Sequence, residues 1–159
     1  MPTPAERQAM LVRLRQLPAA AEAAVHGLND TQLDTPCGEG EWTVRQVMHH
    51  LADAHMNGFI RMKLILTEEQ PTLKPYDQDE WARLCDSTEL PVRAALSILA
   101  GLHERWSGLL ESVPESSWRR AALHPETGPV TLDGLLVTYA RHGETHVRQI
   151  TGLRAAKGW

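Results

Sequence analysis

Four stretches of the chain repeat apolar residues at intervals of three and four, the spacing that lines one face of an α-helix. The first, residues 4–17, places Met10, Leu11, Leu14 and Leu17 together. Proline has no N–H and suits a first turn rather than a helix interior, so Pro18 predicts a restart, with Ala19 to Leu28 continuing the run. The second stretch, Val44 to about Thr67, aligns Val44, Val47, Leu51, Ala54, Gly58, Met62 and Ile65. Thr43 with Gln46 three residues later predicts a capping box at its start. The third opens at Pro91 and runs to about Val113, with Leu96, Leu99, His103, Trp106 and Leu110 inward, and Pro114 ends it. The fourth, capped by Thr131, runs from Leu132 to about Leu153 with Leu135, Tyr139, His142, His146, Ile150 and Leu153 on its inner stripe.

The connections are long. Asn29 to Trp42 reads as a loop broken by Pro36, Gly38 and Gly40. Pro71 and Pro75 make Glu68 to Gln78 irregular, with a short helix at about Asp79 to Leu84. Residues 115–130 form another connection, containing His124, Pro125, Gly128 and Pro129. No run alternates with period two for long, so no strands are predicted. The pattern is all-α: an antiparallel four-helix bundle, one domain spanning residues 1–159.

Composition narrows the function. The net charge of -4 leaves no basic excess to neutralise phosphates, which argues against a nucleic-acid partner. No apolar stretch approaches the ~20 residues of a membrane-spanning helix. The first residues lack a basic segment followed by an apolar run, and Cys37 and Cys85 form no close-spaced motif. A cytoplasmic protein with reduced thiols is expected. Eight histidines are many for this length and point to metal binding or proton transfer.

His142 and His146 are four residues apart, so their imidazoles share one helix face about a turn apart. A single histidine on an apolar face is usually a satisfied core residue. Two adjacent buried imidazoles need partners for their polar atoms, and a shared divalent metal satisfies both. His50, on the earlier helix beside Leu51 and Ala54, supplies a third ligand. Three protein ligands leave a coordination position open, the arrangement of a catalytic rather than a structural metal.

His50, Asp53, Asn57 and Arg61 follow one another at offsets of three and four, a polar row that is either a solvated edge or the wall of a cavity leading to the metal. The cavity is the favoured reading. His49 points ~100° from His50, and His55 lies off the ligand row; both are expected to be exposed or to support the ligands from behind. His103 reads as packed core, and His124 as part of a surface turn. Tyr76 and Asp77 either overhang the site or anchor their loop. The five tryptophans read as packing anchors.

The run Glu41-Trp42-Thr43-Val44-Arg45-Gln46-Val47-Met48-His49-His50-Leu51-Ala52-Asp53-Ala54-His55-Met56-Asn57 resembles the DinB/YfiT-like superfamily. Lys74-Pro75-Tyr76-Asp77, Leu102-His103-Glu104-Arg105-Trp106 and His142-x3-His146 followed by Gln149-Ile150 share the resemblance. It runs over nearly the whole chain and is nearest to the YfiT branch, described as metal-dependent hydrolases and including bacillithiol S-transferases. The resemblance implies a four-helix bundle, a homodimer, and zinc or nickel held by His50, His142 and His146.

Three functions compete. In the first, a low-molecular-weight thiol of the bacillithiol type binds the open metal position as a thiolate and attacks an electrophilic small molecule, with Asn57, Arg61 and Tyr76 binding the thiol. In the second, the metal activates water for hydrolysis, with Asp53 or Asp77 as general base. A zinc protease's His-Glu-x-x-His is missing: residue 143 is glycine, and Glu144 lies ~200° from His142 on the helical wheel. In the third, the metal only stabilises a binding domain, which requires a fourth ligand that the sequence does not offer.

Overall fold

In the computed structural model, which describes residues 2–159, the first helical stretch is one helix, α1 (Pro4–Val25), running through Pro18 without a break. The predicted restart is therefore corrected. An interior proline removes one helical hydrogen bond and typically costs about 3 kcal/mol. Here Leu11, Leu14, Leu17, Ala21 and Ala24 bury one continuous face on both sides of it. The carbonyl that loses its helical partner, Leu14, instead accepts a hydrogen bond from His103 at 2.6 Å.

The long helix α3 (Val44–Thr67) starts at Thr43 as its sequence predicts. Thr43 accepts from the Gln46 backbone at 3.2 Å, and the Gln46 side chain accepts from the Thr43 backbone at 2.9 Å. A second such box, Asn29 with Gln32, builds a one-turn helix α2 (Asp30–Leu33) in the predicted loop. Buried Arg45 anchors that turn through Asp34 and Asp30. Two short helices, α4 (Gln78–Ala82) and α5 (Cys85–Thr88), precede α6 (Arg93–Glu111). The last helix, α7 (Leu132–Lys157), is capped by Thr131, ends four residues beyond the predicted Leu153, and is closed by left-handed Gly158.

Helices α1 and α3 each pack against both α6 and α7, giving the four-helix bundle. Residues 121–131 correct the absence of strands. After a 3₁₀ turn at Glu115–Arg119, β1 (Ala121–His124) and β2 (Gly128–Thr131) pair as an antiparallel hairpin. Four residues are too few to show alternation, and Pro129 argues against a strand except at an edge, where it sits.

The bundle holds two apolar cores, one around Met62, Trp106 and Leu136, the other around Val47, Leu99 and Ile150. They divide at the same level on every long helix. The boundary falls between Leu14 and Leu17 in α1, between Ala52 and Phe59 in α3, between Leu99 and Trp106 in α6, and between Tyr139 and Ile150 in α7. His55, His103, His142 and His146 occupy that gap.

Gly58 sits beside this layer because nothing larger fits. A Cβ there would lie 2.5 Å from the Tyr139 ring and 2.7 Å from Trp106. Gly58→Ala is expected to destabilise the fold by about 1–3 kcal/mol through overpacking, read as a lower melting temperature. An unchanged melt would mean that the two rings yield freely. Gly143, where a zinc protease has glutamate, is likewise closed off by α1: a Cβ there would lie 2.4 Å from the Leu17 side chain.

Candidate metal centre

His50 projects from α3 against the Trp42 ring, with centroids 4.6 Å apart. His142 and His146 project from α7 toward it. Nε2 of His142 lies 3.1 Å from Nε2 of His50 and 3.2 Å from Nε2 of His146. Donor atoms of all three residues lie within 4.8 Å of one another, and no fourth His, Cys or carboxylate joins them among the described residues. His50 is buried, whereas His142 and His146 are half-buried.

The hydrogen bonds behind His146 fix where its proton sits. Its Nδ1 faces the Gln149 side-chain oxygen at 3.0 Å, and the Gln149 amide nitrogen faces Glu41 at 2.8 Å. A carboxylate only accepts, so Gln149 donates to Glu41 and its oxygen accepts the Nδ1 proton of His146. Nε2 of neutral His146 is left as a lone pair aimed at the cluster.

Burial keeps the cluster neutral. It pulls His50 down to about 3, helped by His142 and His146, and His142 down to about 4, helped by His146. Burial lowers His146 as well. Crowded lone pairs repel, and a cation at their centre relieves that. Tetrahedral zinc with Zn–N bonds of about 2.0–2.1 Å would hold its nitrogens roughly 3.3 Å apart, close to the spacings here. The residues fit a divalent metal.

These depressed values predict acid lability of the metal-free protein. An unfolded chain's histidines take up protons below about 6.5, whereas the folded ones resist until about 3–4. The unfolded state therefore binds more protons in that window, and stability, full above it, falls as pH drops through it. Melting temperatures between about pH 7 and pH 4 should decline steeply. A flat profile would contradict the buried neutral histidines.

The polar row on α3 carries on from His50. The Asp53 carboxyl is half-buried and pushed up to about 6, by burial and then by Asp86. Asn57 donates its side-chain amide to the Asp53 backbone carbonyl at 2.9 Å. Among the described residues Arg61 pairs with no carboxylate. It donates to the Lys74 carbonyl at 2.9 Å and to the Tyr139 hydroxyl at 3.4 Å, and lies 5.9 Å from the Tyr76 ring. Tyr76 packs against Trp81 at 4.4 Å, and burial then Tyr139 push its hydroxyl up to about 12. The loop after α3 thus folds over Arg61, and the row is not a free solvated edge.

Other residues take different places. Asp77 caps α4, accepting from the backbones of Asp79 and Glu80 at 3.0 Å. His49 is buried, with Nε2 on the Leu90 carbonyl at 3.1 Å. His124 lies in the hairpin, its Nδ1 accepting from the Glu126 backbone at 3.3 Å. Glu144 pairs with Arg13 at 3.4 Å, away from the cluster. His55 is fully buried and touches both His142 and His103. Sequence reasoning gave no role to Glu41 or Gln149, although Gln149 lies three residues from His146 and so shares its face.

Residues 13–150 match the family model described as the DinB superfamily. The chain belongs to the DinB superfamily. A Geobacillus kaustophilus protein is 47% identical over 156 residues, covering 97% of this chain and 87% of that relative. YfiT from Bacillus subtilis is 44% identical over 147 residues, covering 92% and 83%. Both are named, by inference, as metal-dependent hydrolases. The solved YfiT structure, described in the same terms and as having an unusual four-helix bundle topology, superposes with a TM-score of 0.98 at 41% identity, over 100% of this chain and 91% of that one. The mycothiol-dependent maleylpyruvate isomerase shares the fold alone, with a TM-score of 0.71 at 16% identity over 91% of this chain and 60% of that one. Within the DinB superfamily the chain is of the YfiT type, and metal dependence runs through its relatives' names.

Proposed function

We propose that this DinB-superfamily chain is a divalent-metal-dependent enzyme, with zinc or nickel held by His50, His142 and His146, that transfers a low-molecular-weight thiol to an electrophilic small molecule. The observation that carries the reading is the convergence of three buried or half-buried imidazoles on one point, with no fourth protein ligand among the described residues. When bound, a divalent metal supplies a thiolate, or an activated water, at neutral pH. Asp53, held near 6, is the group suited to take up the proton released as the nucleophile binds. Arg61, braced by Lys74 and Tyr139, presents a fixed positive charge for an anionic group of the thiol. Asn57 and Tyr76 complete that wall. A thiol-dependent isomerase on the same fold supports the choice by analogy of fold only.

The second reading is hydrolysis, favoured by the relatives' names and by Asp53 as a base for water. Gly143 stands where a zinc protease has its glutamate and Glu144 is turned toward Arg13, which weakens protease-like peptide hydrolysis. Turnover of a generic electrophile by the zinc- or nickel-loaded protein separates the readings. Dependence on added thiol is expected, with Arg61→Ala raising the KM for thiol at unchanged metal content. Thiol-independent turnover of an ester or amide would establish the hydrolase.

A further inference from the structure

His142 has a second nitrogen, and what lies behind it reaches across the bundle. Nδ1 of His142 is 3.3 Å from Nε2 of His55. Nδ1 of His55 is 3.0 Å from Nε2 of His103, and Nδ1 of His103 is 2.6 Å from the Leu14 carbonyl oxygen. His55 and His103 are 0% and 1% exposed, so water does not substitute for these contacts.

This string of imidazoles has one acceptor-only end, and that end sets every proton. A carbonyl cannot donate, so His103 carries its proton on Nδ1 and offers a lone pair at Nε2. His55 then donates from Nδ1 and accepts at Nε2, and His142 donates from Nδ1. Reversing the string would set an oxygen lone pair against a nitrogen lone pair at the 2.6 Å contact. The Leu14 carbonyl is available because residue 18 is proline: in an ordinary helix the N–H four residues on would hold it.

We infer that His103 and His55 are positioning residues for the metal centre, holding His142 with its Nε2 lone pair toward His50 and His146 through hydrogen bonds that end on the carbonyl Pro18 leaves free. The inference rests on the metal-site part of the proposed function, not on the choice of reaction. It gives the interior proline and both buried histidines one purpose. Ligand-orienting partners of this kind typically change metal affinity 10–100-fold when removed.

The test begins with the metal-free parent. Long-range ¹H–¹⁵N correlation of its imidazoles at neutral pH should show His55, His103 and His142 each protonated on Nδ1. A proton on Nε2 of His142 would overturn the inference, whatever the variants do. Zinc affinity is then compared for His55→Leu, which leaves the His142 N–H without an acceptor, and His55→Gln, whose amide can accept from His142 and donate to His103. Roughly 10–100-fold weaker binding for His55→Leu, with His55→Gln near the parent, is expected. Parent-like affinity in a folded His55→Leu would overturn the inference. Failure of the parent to bind zinc or nickel would overturn the metal reading instead, and the imidazole protons would still report on the string.

Discussion

Alanine in place of His50, His142 or His146 should lower zinc affinity by roughly a hundredfold or more in each case. Zinc held by four ligands in small domains is worth about 10–16 kcal/mol, or roughly 3 kcal/mol per ligand, which is at least a hundredfold in binding. His49→Ala is the internal control. It is adjacent to His50 in sequence, but its Nε2 faces the Leu90 carbonyl at 3.1 Å. Competition against a chromophoric chelator measures all four variants on one scale. Losses of equal size for His49→Ala would remove the assignment, because they would show that affinity follows bundle integrity rather than ligation.

Arg7→Met should unfold the protein far more easily than its place near the chain start suggests. The guanidinium donates to both Asp133 oxygens, at 2.8 and 3.2 Å, and to Glu115 at 2.8 Å, while stacking 4.5 Å from the Trp118 ring. Arg7 is 6% exposed and Asp133 2%. Removing one partner strands the other as an unpaired buried charge, which typically costs about 3–5 kcal/mol. At this size that corresponds to a fall of roughly 6–20 °C in melting temperature. Arg7→Met combined with Asp133→Leu should recover much of the loss, since neither charge is then stranded. A single variant melting within about 2 °C of the parent would show that Asp133 is solvated well enough to stand alone. The pair joins the start of α1 to the start of α7, the helix that carries two of the three histidines.

The long helices were legible because each buries one face, and burial repeats at 3.6 residues per turn. The caps at Thr43 and Thr131 were legible because their hydrogen bonds close within three residues. His142 and His146 could be paired for the same local reason. What the sequence hid is set by level across the bundle rather than by spacing along it. His55 is about 140° around α3 from His50, which takes it off the ligand row. That same rotation turns it into the bundle interior, where it reaches the other nitrogen of His142. Pro18 reads as a break until the His103 side chain, far along the chain, supplies the hydrogen bond to the Leu14 carbonyl. The Tyr139 hydroxyl meets Arg61 across helices, which its place on an apolar stripe does not reveal.

X-ray absorption at the metal edge of the zinc- or nickel-loaded protein tests the central claim most directly. Three imidazole nitrogens at about 2.0–2.1 Å from zinc, with the remaining position filled by solvent or added thiol, is the predicted result. Addition of a low-molecular-weight thiol should bring in sulfur at about 2.3 Å. A first shell with fewer than three imidazoles, or one containing protein sulfur before any thiol is added, would contradict the site.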